Sequence, residues 1–143
     1  MQIKSLAIHN FKSIRRMYIP DIENALILVG QNNTGKTTVL DAIRAVGGAY
    51  AIRPEDFNEE GANIEIAVSI EYTEDDLMQM QKAGLVSSYH RFEAWKEDFC
   101  KKLPSYQDGL LQFTYTANRK GKIRYQDGYA KHNSHIPEIF PRI

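Results

Sequence analysis

The residues best equipped for chemistry lie together in Gly30-Gln31-Asn32-Asn33-Thr34-Gly35-Lys36-Thr37-Thr38, which fits G-x-x-x-x-G-K-[ST] without a mismatch. A polyphosphate carries several negative charges, and they must be held without burying an unpaired counter-charge. Backbone N–H groups in a tight loop at a helix N-terminus meet that need, and the helix dipole adds to it. Gly35 allows the backbone to approach the phosphates, and Lys36 is placed to reach the β- and γ-phosphates as the catalytic charge. The Thr37 hydroxyl is placed to ligate Mg²⁺. Asn33 stands where many such loops carry glycine, and Asn tolerates left-handed φ better than most residues. The spacing therefore implies a nucleoside triphosphate bound with its metal by residues 30 to 38.

Such a loop works only between a strand and a helix. Ala25-Leu26-Ile27-Leu28-Val29 is a continuous apolar run of strand length directly before it. After it, Val39, Leu40, Ile43 and Val46 recur at helical spacing, and Gly47-Gly48 supplies a C-terminal cap. A chance glycine turn before an ordinary helix would not need both flanks.

Length and composition bound the remainder. A chain of 143 residues is one domain's worth, enough for a real core. Eighteen basic residues balance eighteen acidic ones, so no overall positive field advertises nucleic acid. The single cysteine, Cys100, excludes an intramolecular disulfide, reads as a packing residue in a helix, and suits a reducing cytoplasm. No apolar run reaches membrane-span length, and Met1-Gln2-Ile3-Lys4 does not begin a secretory signal.

From the N-terminus, Ile3 to Phe11 reads as a strand and Arg16 to Pro20 as a second, joined by the polar link Asn10 to Arg15. Ala51 to Phe57 reads as an irregular crossing. Ile64, Ile66, Val68, Ile70 and Tyr72 alternate with Glu65, Ala67, Ser69 and Glu71, the pattern of a strand with one wet face. Thr73 with Asp76 forms a capping box for a short helix ending near Gly84. A second helix, Ser88 to Leu103, carries the stripe Phe92, Trp95, Phe99 and Leu103, is completed by Lys101 and Lys102, and is ended by Pro104. That stripe reads as core rather than as a platform for stacking bases. Residues 111–115 and 123–126 form a hairpin about Asn118-Arg119-Lys120-Gly121-Lys122.

Hydrolysis by a phosphate loop normally also needs an apolar strand ending in Asp or Asp-Glu. Ala67 to Glu71 is the nearest match, but its alternation places Glu71 on a polar face. Only one parallel crossover is legible, where a parallel nucleotide-binding sheet needs several. His132 and His135 are three apart with no further Cys/His cluster around them, which reads as exposed loop histidines. Asp56 reads as a turn residue.

Ile8-His9-Asn10-Phe11-Lys12-Ser13-Ile14 resembles the opening of the ABC-type head ATPases found in RecF, SMC proteins and OLD-family nucleases. Gly30 to Ile43 is similar to their first phosphate loop and helix. The double asparagine, the Arg53-Pro54-Glu55-Asp56-Phe57 stretch and the alternating strand after it resemble the OLD branch, including Gabija-type proteins. The resemblance implies an α/β P-loop NTPase fold. Specifically, it implies the N-terminal lobe of an ABC-type head, with a mixed, largely antiparallel sheet around the P-loop helix. Residues 1–143 would form that lobe, with a helical insertion at about 74–104 and a hairpin at about 110–127, as a fragment of a longer protein. The signature motif, the second acidic motif and a Toprim nuclease would lie in sequence beyond it.

Carried over by position, Gly30, Gln31, Asn32, Asn33, Thr34, Gly35, Lys36, Thr37 and Thr38 hold ATP, and Thr37 takes Mg²⁺. Lys12 and Ser13 flank the base or phosphates. Gln112 or Gln126 corresponds to a γ-phosphate-sensing glutamine, against the plainer reading of surface strand residues. Implied partners are a second head in a homodimer, DNA for the full-length protein, and a C-terminal half or partner protein, with no membrane. Two rivals stay open. A small P-loop kinase or transferase would need an arginine-bearing lid, for which Arg119 and Arg124 are the candidates, and further parallel strands. A non-hydrolysing module would only sense nucleotide.

Overall fold

A computed structural model of the chain describes residues 1–22, 33–128 and 131–140. The strand expected at Ala25 to Val29, together with Gly30, Gln31 and Asn32, lies outside the described residues. The described strands are β1 (Gln2–Phe11), β2 (Ile14–Ile19), β3 (Ile64–Glu71), β4 (Leu110–Ala117) and β5 (Ile123–Asp127). They form one five-stranded sheet in the order β2-β1-β3-β4-β5. Every pairing among them is antiparallel. The helices are α1 (Asn33–Val46), α2 (Glu74–Lys82), α3 (Phe92–Lys102) and the single turn α4 (Ile136–Ile139), with a 3-10 turn at Pro54–Asp56.

Period-2 patterning decides the layering. Leu6, Ile8, Ile64, Ile66, Val68, Ile70, Leu111, Phe113 and Tyr115 point to one side and are buried. Helices α1, α2 and α3 cover that side through Val39, Ala42, Ile43 and Val46, through Leu77 and Met80, and through Trp95 and Phe99, in one continuous core. The opposite face carries register-matched polar and small residues. One row runs Arg16, His9, Glu65, Thr116 and Arg124, and the next runs Tyr18, Ala7, Ala67, Thr114 and Gln126.

Helix ends follow local chemistry. Helix α1 stops at a glycine pair: Gly48 takes φ +80°, its N–H bonds to Ala45 O at 3.1 Å, and Ala49 N–H bonds to Arg44 O at 2.8 Å. That is a left-handed cap, which glycine adopts at little cost. Helix α2 opens on the expected capping box, with Asp76 N–H donating to Thr73 Oγ1 at 3.1 Å and Thr73 N–H donating to Asp76 Oδ2 at 2.8 Å. The N-terminal amine adds an ion pair to the same Asp76 oxygen at 2.5 Å.

Three expectations need correction. Helix α3 begins at Phe92, four residues after the expected Ser88, because the preceding segment serves as a lid on the helix. Trp95 Nε1 donates to Leu85 O at 3.0 Å and Lys102 Nζ to Val86 O at 2.9 Å, so residues 85 and 86 close over the helix, while residues 88–91 are exposed and do not extend it. Cys100 lies in α3 but is exposed, since the buried stripe passes through Trp95, Phe99 and Leu103 and leaves position 100 outside it. The link between β1 and β2 is also shorter than its polarity suggests. Phe11 pairs with Ile14, leaving only Lys12 and Ser13 as the turn.

Candidate functional site

The Lys12-Ser13 turn is built from unusual backbone. Asn10 and Lys12 both have positive φ, 64° and 54°. Non-glycine residues pay about 1–2 kcal/mol for that region, so it persists only where surrounding contacts hold it. Here they do. Lys12 N–H donates to Asp56 O at 2.6 Å, and Asn58 Nδ2 donates to Lys12 O at 2.9 Å. The Asn10 side chain is buried and spans the 59–63 loop. Its Nδ2 donates to Glu59 O at 3.1 Å and Ala62 O at 2.8 Å, and its Oδ1 accepts from Glu59 N–H at 2.6 Å. The asparagine that looked like part of a polar link is a bracket for the next loop.

The turn aims the Lys12 side chain back onto α1. Its Nζ lies 2.6 Å from Asp41 Oδ2 and 4.8 Å from the centre of the Tyr50 ring. Burial lowers the Lys12 pKa, but the Asp41 and Tyr50 contacts outweigh burial and hold it above the usual lysine value. The group is therefore an ammonium at neutral pH. Asp41 is itself largely buried and accepts from Arg44 Nη1 at 3.3 Å through its other oxygen. Tyr50 in turn donates to Asp56 Oδ1 at 3.0 Å, and Arg53 N–H donates to Asp56 Oδ2 at 2.9 Å. Asp56 is a structural carboxylate at the centre of a turn, as its sequence context suggested.

The same helix presents the motif residues. Lys36 and Thr37 are exposed in the first turns of α1, Gly35 is half-buried, and Thr38 is buried. Asn33 and Thr34 contribute backbone to the first turn. Thus the described part of the motif sits at the end of a helix anchored by its apolar side and tied to the Lys12 turn through Asp41. A single protein hydroxyl at Thr37 suits Mg²⁺, which keeps water and phosphate oxygens as its other ligands.

The remaining candidates fall elsewhere. Glu71 pairs with Gln2 at the far end of β3 from the Phe11-Lys12 turn and faces away from the helices. Gln2 and Phe11 are nine residue steps apart along β1, about 30 Å. Gln112 and Gln126 project from the open sheet face, opposite the face that α1 covers, so neither is placed beside the Lys36 helix. His132 Nδ1 accepts from Tyr125 N–H at 2.9 Å, and His135 Nδ1 contacts Glu138 Oε2 at 2.7 Å. No group of three or more potential metal ligands occurs among the described residues. Arg119 lies over the Phe57 ring at 5.1 Å, while Arg124 is exposed on β5.

Asp41 and Tyr50 were not singled out from sequence. Asp41 carried a readable signal, because a carboxylate between Val39 and Ala42 on a buried helix face needs a cation partner. Tyr50 carried none.

Residues 1–138 match the AAA ATPase domain family, and the chain belongs to it. No curated protein sequence matches. The fold is similar to solved Smc heads. One is an SmcHead bound to the C-winged helix domain of ScpA, with TM-score 0.55 and 16% identity over 97% of this chain and 40% of that one. A second is the Smc head from Pyrococcus furiosus with an extended coiled coil, bound to the C-terminal domain of ScpA, with TM-score 0.55 and 15% identity over 96% of this chain and 32% of that one. A third comes from work on ATP-driven dimerization and DNA-stimulated activation of SMC ATPases, with TM-score 0.60 and 17% identity over 97% of this chain and 77% of that one. This chain therefore spans less than half the length of the first two heads. The mixed α/β lobe with an antiparallel sheet is the fold that the resemblance implied. No helix among the described residues is long and apolar enough to cross a membrane.

Proposed function

We propose that the chain binds Mg-ATP as the N-terminal lobe of an ABC-type head of the OLD and RecF kind. The observation that carries this reading is the exposed pair Lys36 and Thr37 in the first turns of α1, a helix locked into the core and tied to the Lys12 turn. Residues 30–38 hold the phosphates through backbone N–H groups, Lys36 neutralises the β- and γ-phosphates, and Thr37 holds Mg²⁺. The Lys12 ammonium and the Ser13 turn flank the same phosphates from β1–β2. Bound Mg²⁺ would supply charge neutralisation between phosphate oxygens.

In the fuller protein this lobe works in a head-to-head dimer, with ATP closure coupled to DNA processing or phage defence. Family membership and the Smc-like fold support the ATPase part of that reading. The NFKSI turn, the double asparagine and the 53–57 stretch support the OLD part. The chain alone is expected to bind ATP with little turnover and to cut no DNA, since Glu71 lies far from the Lys12 turn.

Incubation with γ-labelled ATP and Mg²⁺, read by product analysis and equilibrium binding, tests the reading. Tight binding with slow phosphate release supports it. Transfer of label to an acceptor assigns a kinase instead, and rapid turnover that collapses in Glu71→Gln contradicts the placement of the acid.

A further inference from the structure

We infer that Asp41 and Tyr50 are positioning residues that fix the direction of the Lys12 ammonium toward the nucleotide phosphates. This rests on the nucleotide-binding reading above and adds two residues to it. A lysine ends a flexible four-carbon chain, so an unrestrained Lys12 would sample many positions before meeting a phosphate. Its ammonium has three N–H donors. Asp41 Oδ2 takes one at 2.6 Å, and the face of the Tyr50 ring lies 4.8 Å from the ammonium.

Each member of this clamp is braced from behind. Asp41 is held by Arg44 at 3.3 Å, and Tyr50 by the buried Asp56 at 3.0 Å. The Lys12 backbone, at φ 54°, is pinned on its N–H by Asp56 O and on its carbonyl by Asn58. A strained backbone with both polar groups fastened is what a side chain needs if its direction matters. Asp41 also lies on α1, five residues after Lys36 and so about 7.5 Å further along the axis. The clamp therefore references the Lys12 ammonium to the helix that presents Lys36 and Thr37. Pre-setting a charged donor in this way lowers the ordering cost of binding.

A double-mutant cycle on nucleotide affinity separates positioning from a plain structural ion pair. A fluorescent ATP analogue is titrated with Mg²⁺ into wild type, Asp41→Asn, Lys12→Met, the double variant and Lys36→Ala, with urea midpoints measured for each. Asp41→Asn is expected to weaken binding about three- to tenfold in the wild-type background, and by less than about twofold once Lys12 is Met. Asp41→Glu should recover part of the loss, and Tyr50→Phe, which keeps the ring and drops the hydroxyl, should weaken binding less than Asp41→Asn. An equal loss in both backgrounds overturns the inference, as does unchanged binding. Tighter binding in Asp41→Asn also overturns it, by showing that the carboxylate competes with phosphate. If Asp41→Asn does not fold, the same cycle on Tyr50→Phe and Lys12→Met decides by the same outcomes. Affinity that ignores Lys36→Ala overturns the nucleotide reading and this inference together. A loss in Lys36→Ala with a flat Asp41→Asn overturns the inference alone.

Discussion

Lys12 sits at φ 54° although a glycine would occupy that backbone without strain. Replacing it should therefore expose the stored cost. Lys12→Gly and Lys12→Ala both lose the Asp41 pair, but Lys12→Gly should be more stable than Lys12→Ala by about 1 kcal/mol, measured by urea unfolding. Equal stabilities would mean the turn is unstrained. Asn10 is the second residue whose role is geometric. Its amide satisfies loop carbonyls at Glu59 and Ala62 and accepts from Glu59 N–H, all inside the fold. Asn10→Ala should cost about 2–4 kcal/mol, because it removes several bonds and strands buried backbone groups. Lys36 and Thr37 were legible in the sequence because their motif contains its own spacing. The partner of Lys12 was not, because Asp41 stands 29 residues away and only the packing of α1 against β1 brings them together.

At the scale of elements, patterning was the reliable guide wherever burial was one-sided. Strand β3 alternates buried and exposed residues along its length, and its register follows directly. The start of α3 was misread because residues 88–91 are polar enough to continue a helix, while the fold instead uses residues 85 and 86 as acceptors for Trp95 and Lys102. Trp95 stacks on Phe99 with ring centres 5.1 Å apart and is fully buried. Trp95→Ala should destabilise the chain by about 3–5 kcal/mol, through lost transfer energy and the cavity it leaves. A change below about 1 kcal/mol would show that α3 is peripheral.

The α2 cap adds a pH-dependent term. Burial raises the Asp76 pKa, but bonds from the N-terminal amine and from Thr73 outweigh it and hold the carboxyl below its ordinary value. A depressed folded pKa means that the stabilisation is present above the unfolded pKa, near 4, and is lost as pH falls through the folded value. Wild type should exceed Asp76→Asn in urea midpoint at pH 7, and the gap should close below about pH 4. A gap independent of pH would contradict the assignment of the cap to a charged Asp76.

Among the described residues, helices cover one face of the sheet, and the outer edge of β2 is paired with no other described strand. Edge strands left open recruit further strands, although the exposed Arg15 and Arg16 on β2 oppose close pairing. Tyr18 on the bare face is 67% exposed. Sedimentation across a concentration series should therefore show weak self-association, and a monomer unchanged at high concentration would mean that this edge is protected. The antiparallel layering was readable from strand alternation and from the scarcity of parallel crossovers. The bare face could be read only as polar, since nothing in one chain's sequence says what, if anything, covers it. Nucleotide binding through α1 is the claim on which the rest depends. Its most direct test is equilibrium titration of Mg-ATP into wild type and Lys36→Ala, with both shown to be folded. Loss of a charge-assisted phosphate contact of about 1.5–3 kcal/mol predicts at least a tenfold fall in affinity for Lys36→Ala, and equal affinities for the two proteins would contradict it.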